Sequence, residues 1–100
     1  MPIPNSFLTT QKLLKQILNL VESKNMKDKL RIIERINVRR NYEILLGIKK
    51  YNCLREHKNY LEQIFEAVMT INFSSLKKFH GSEVSDKKQL LYHEALNGIL

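Results

Sequence analysis

The chain has 100 residues, 43% of them apolar, and 17 basic against 10 acidic side chains leave a net charge of +7. That is enough apolar residue for one domain with its own core, and no stretch approaches the ~20 apolar residues that span a bilayer. A lone cysteine, Cys53, excludes a disulfide within the sequence, and the opening Met-Pro-Ile-Pro-Asn-Ser lacks the basic-then-apolar pattern of a signal peptide, so the expected location is a reducing cytoplasm with no membrane partner.

Both prolines fall in the first four residues, and residues 1–8 are expected to be extended or flexible. The first helix is expected from about Thr9 or Thr10, either of which can cap free N–H groups, to about Lys24. Leu13, Leu14, Ile17, Leu18 and Val21 then share one face at i, i+3, i+4 spacing, and Asn25 is a plausible stop. A second helix is predicted from Met26 to about Ile36. Leu30, Ile32, Ile33 and Ile36 lie on one broad side, while Arg31, Arg35 and Arg39 step along the other at i, i+4 spacing. Val38 falls off the apolar side, which predicts a break near Asn37.

The preferred reading of the next segment is a third helix from Asn37 to about Tyr51 that buries Tyr42, Leu45 and Ile48. Ile36, Val38, Tyr42, Ile44, Leu46 and Ile48 also alternate with period two, so a strand over 36–48 is the competing reading. Gly47 is the flaw in the helix, at a cost of ~1 kcal/mol relative to alanine. A fourth helix follows from about Asn52 to Ile71, with Leu61, Ile64, Phe65, Val68 and Met69 in a stripe. Asn72 to Ser75 reads as a turn, Ser74 or Ser75 can cap a short segment holding Leu76 and Phe79, and Gly81 ends it. Ser85 is expected to cap a last helix carrying Leu90, Leu91 and Ala95. The fold class implied is all-α, a compact bundle or orthogonal array of four to five helices in one domain over 1–100. Its core is expected around Leu14, Ile17, Leu18, Ile33, Leu45, Leu61, Ile64, Phe65, Val68 and Leu91.

Catalytic patterns are missing. The three glycines, at 47, 81 and 98, are too far apart for a phosphate loop. Cys53 and His57 stand one helical turn apart, which can pair a thiol with a base, but such neighbours are common on any helix. Cys53, His57, His80, His93 and Glu94 lack the close cysteine or histidine pairs of a zinc site. No enzyme activity, cofactor or metal is expected. With Gly47 placed at the turn glycine of a helix-turn-helix, Tyr42, Leu46, Ile48 and Cys53 fall on its buried positions, but Glu43 takes a tight site and Glu56 an apolar one, so the match is weak.

The charge is concentrated. Residues 24–50 hold nine basic side chains against Asp28, Glu34 and Glu43, and therefore carry nearly all of the net charge. A codon bias toward lysine, isoleucine and asparagine accounts for scattered lysine, but not for four of the five arginines (Arg31, Arg35, Arg39 and Arg40) within ten residues. Guanidinium forks match phosphate and carboxylate oxygens bidentately. The same arginines on a solvated face would also cover the core with their alkyl stems. The expected function is a small regulatory binding protein that contacts nucleic acid through Lys27, Arg31, Arg35, Arg39, Arg40, Lys49 and Lys50. The alternative is an adaptor, inhibitor or immunity-type protein whose basic face docks an acidic protein. Leu96, Ile99 and Leu100 make the C-terminal end apolar, as docking within the fold, a homodimer seam or a partner site would require.

Overall fold

A computed structural model describes residues 5–100. Five α-helices follow in chain order: α1 (Asn5–Glu22), α2 (Met26–Ile36), α3 (Val38–Ile48), α4 (Lys58–Met69) and α5 (Ser82–Leu96), with short 3-10 helices at Asn52–His57 and Ser74–Lys78. No strand occurs among the described residues, and the competing strand over 36–48 is helix. The expected extended segment is helical from Asn5 onward, and the rest of it lies outside the described residues.

In α1 the face at the centre of the contact is Leu13, Ile17 and Leu20, each at most 5% exposed, while Leu14, Leu18 and Val21 lie at its edge. The apolar stripe of this helix is wide. Its middle is decided by α2 and α3, which both pack on it, and so falls one position from Leu14 and Leu18. Asn25 is less a stop than a start. It takes an extended conformation at φ −106° and ψ 123°, and its Oδ1 accepts the Lys27 N–H at 2.8 Å, which caps α2.

The break between α2 and α3 falls at Asn37. This residue is left-handed at φ 47° and ψ 70°, a conformation that asparagine tolerates better than other residues with a Cβ. The carbonyls freed there find a donor in the Asn41 side chain, 2.8 Å from the Ile36 oxygen and 3.4 Å from that of Asn37. Such satisfaction is required, because a buried carbonyl left unpaired costs ~1–3 kcal/mol. Asn41 itself leaves helical geometry at φ −107° and ψ 17°. The corner therefore rests on two asparagines four residues apart.

The expected single helix over Asn52–Ile71 is divided. Tyr51 is extended at φ −63° and ψ 146°, and the 3-10 helix that follows carries Leu54 into the core with no residual exposure before α4 begins. α4 buries Leu61, Ile64, Phe65 and Val68, as its stripe predicts. α5 starts at Ser82, a turn earlier than the expected Ser85, because Gly81 adopts φ 63° and ψ −135° and turns the chain directly into the helix. Its buried residues are Tyr92 and Leu96, while Leu91 is only half-buried.

All five helices contribute to a single core, Ile17, Ile33, Leu45, Ile64 and Leu96 among its members with no residual exposure. α1 packs on α2 and α3, α3 on α4, α4 on α5, and α5 returns to α2. Ile99 and Leu100 pack against that core. Within the chain, the apolar C-terminal end therefore docks into the fold. Among the described residues, no helix is long and apolar enough to cross a membrane.

Candidate nucleic-acid interface

The core-facing side of α2 holds Leu30, Ile33 and Ile36, so at 100° per residue Lys27, Arg31 and Arg35 stand along the opposite side. All three are exposed. Successive members are one turn apart, about 6 Å along the axis. Arg40, on the first turn of α3, and Lys50, just past its end, are exposed as well. None of the five enters an ion pair: among the described residues the only one joins Lys49 to Glu62.

Neither local acid on α2 forms an ion pair with the ridge. Glu34, one turn from Arg31, is turned aside to accept a hydrogen bond from the Gln89 side chain on α5. It stands close enough to Tyr92 to add to the effect of burial, which is the main cause holding that phenol above its ordinary value, while Arg39 opposes both. Asp28 sits in the first turn of α2, where it favours the positive end of the helix.

Two of the seven expected binding residues are committed elsewhere. Lys49 is buried, with its side chain 9% exposed, and its ammonium pairs with Glu62 of α4. The lysine's hydrogen bond is the first cause holding the Glu62 carboxyl below its ordinary value, with the charges of Lys49 and Lys58 assisting and burial opposing. Arg39 turns away from the ridge across the Asn37 corner. Its Nη2 donates to the Met69 oxygen at 3.3 Å and to the Ile71 oxygen, and its guanidinium carbon lies 4.7 Å from the centre of the Phe73 ring. A cation at the C-terminal carbonyls of α4 meets the negative end of that helix. The two placements have one physical reason: each cation lies next to an element that offers it oxygens, which the linear sequence does not display.

Lys29 is another interhelical tie that sequence reading missed. Its Nζ lies 3.0 Å from the Tyr60 hydroxyl and 5.4 Å from the ring centre, joining α2 to α4. Cys53 is exposed and shares no hydrogen bond with His57 among the described residues. No group of three or more potential metal ligands gathers there either. Gly47, set at the turn of the helix-turn-helix comparison, is helical, so that motif has no turn where it needs one. An open groove of about 370 Å³ lies between the end of α4 and α5, lined by Thr70, Ile71, Asn72, Leu91, Glu94 and Ala95.

Compared with known protein families, with curated proteins and with solved structures, the chain matches none. What fold and surface define is thus a class, a small all-α protein with a basic ridge.

Proposed function

We propose that the chain is a non-enzymatic regulatory binding protein that contacts nucleic acid through the basic ridge. The observation that supports this most is that Lys27, Arg31 and Arg35 share one face of α2 and enter no ion pair, while Glu34 accepts a hydrogen bond from Gln89. Like charges at i, i+4 destabilise a helix by a few tenths of a kcal/mol per pair. A polyanion that supplies phosphates relieves that repulsion and releases its own counterions. Arg40 and Lys50 are further exposed cations, while Arg39 bonds the end of α4 and Lys49 pairs with Glu62.

The test is a titration of random duplex and single strands at about 50 mM salt and upward, where backbone binding is strong at the low end. With Lys27→Ala, Arg31→Ala and Arg35→Ala combined, binding weakens on every sequence, and the slope of log K against log salt on duplex flattens by about 2.7, near 0.9 per lost phosphate contact. Absence of any binding at low salt ends the reading. A protein partner captured through the same cations, surviving nuclease and high salt, would replace it with the adaptor, inhibitor or immunity-type alternative.

A further inference from the structure

The second half of the chain is neutral overall, but the fold gathers its lysines around aromatic rings. Phe79 follows the 3-10 helix at Ser74–Lys78 and is partly buried. It lies outside the core and is absent from the partly buried side chains packed against it, whereas Phe73 belongs to that shell. Two ammonium groups from different elements stand over the Phe79 ring, Lys78 Nζ at 5.9 Å and Lys87 Nζ at 5.3 Å from its centre. Phe73 repeats the pattern with Arg39 at 4.7 Å and Lys88 at 6.0 Å. Glu83 and Asp86, on the first turns of α5, are exposed and pair with none of these cations.

The two clusters differ: Phe73 packs against the core and Arg39 is held by the Met69 and Ile71 oxygens, whereas Phe79 lies outside that shell and Lys78 and Lys87 are exposed. A partly exposed ring beside cations that enter no ion pair suits a strand whose bases are unstacked and whose phosphates follow at each step. A duplex offers phosphates to such a surface but keeps its bases paired and stacked. An acidic peptide would use the cations and leave the ring idle.

We propose that Phe79 is a base-stacking platform, with Lys78 and Lys87 as its phosphate contacts, and that the chain takes single-stranded nucleic acid. This rests on the nucleic-acid reading above and narrows it to a substrate class. The probes are oligothymidylate, oligouridylate, an abasic strand of equal length and a random duplex, followed by fluorescence anisotropy on the full chain. Base-bearing strands are expected to bind at least about fivefold more tightly than the abasic strand, the lower end of one stacked base. Phe79→Leu removes that difference and Phe79→Tyr keeps it. Lys78→Gln combined with Lys87→Gln, two exposed changes that spare the fold, flattens the single-strand salt slope by about 1.4. The thymidylate and uridylate arms decide whether DNA or RNA is preferred. If the abasic strand or the duplex binds as well as the base-bearing strands, or if Phe79→Leu has no effect while melting is unchanged, the stacking proposal falls and the α2 ridge stands. If no probe binds at low salt, both fall.

Discussion

Lys49 and Gly81 show how much depends on single positions whose role is conformational or electrostatic. Glu62 has its carboxyl pKa lowered in the folded chain, first by the Lys49 hydrogen bond. A depressed folded pKa stabilises above the unfolded value and is lost as pH falls through the folded one. Acid unfolding is therefore expected to be shallower in Glu62→Gln, and an NMR titration of Lys49→Met is expected to return Glu62 toward the ordinary carboxylate value. An unshifted Glu62 in that variant would show that Lys49 is not the cause. The glycines divide by conformation. A Cβ at Gly47 meets nothing within 4 Å and its backbone is helical, so Gly47→Ala is expected to stabilise by up to ~1 kcal/mol. Gly81 also has open space, but its φ of +63° with ψ −135° strains any side chain, so Gly81→Ala is expected to cost ~1–3 kcal/mol. Equal shifts in chemical denaturation would contradict this contrast.

Element by element, the chain is most legible where one strong period governs. α2 matches its expected bounds because Asn25 caps it, an apolar stripe fills it and Asn37 ends it. The stripe of α4 likewise places Leu61, Ile64, Phe65 and Val68 in the core. What stayed hidden depends on neighbours distant in sequence. Leu54 enters the core only because Tyr51 is extended, and Arg39 leaves the basic ridge because α4 ends beside it with open carbonyls. Of the seven residues expected to bind a polyanion, Lys49 and Arg39 are the two with such a neighbour. The aromatic corner is not legible in the sequence because acids balance its lysines there, and only the fold brings Lys87 over the Phe79 ring. Arg39 accordingly has a stability role that its neighbours lack. Arg39→Ala, which removes a charged hydrogen-bond donor worth ~1.5–3 kcal/mol and exposes the end of α4, is expected to lower the melting temperature, while Arg31→Ala stays within ~0.5 kcal/mol of the parent. Thermal melts of the two variants side by side check it, and an unaffected Arg39→Ala would return that residue to the binding surface.

At the scale of the whole molecule, all five helices share one core, so damage at the last helix is felt by the first. Leu96 has no residual exposure, although it stands where the sequence alone allowed a seam between subunits. Its removal leaves a hole lined by other helices, and leucine-to-alanine changes at such sites cost ~2–5 kcal/mol through lost transfer energy and the residual cavity. Against a total stability of ~5–15 kcal/mol, that is a large fraction. Each kcal/mol is worth ~4–8 °C in a domain of this size, so Leu96→Ala is expected to lower the melting temperature by roughly 10 °C or more. Leu90, on the same helix, is 50% exposed, and Leu90→Ala is expected to change melting by only a few degrees. The decisive reading is cooperativity as well as midpoint. Near- and far-ultraviolet dichroism of Leu96→Ala should melt together, because helices that share a core have no independent way to persist. A Leu96→Ala protein that melts like the parent, or that loses self-association instead of stability, would move Leu96 out of the core and into an interface.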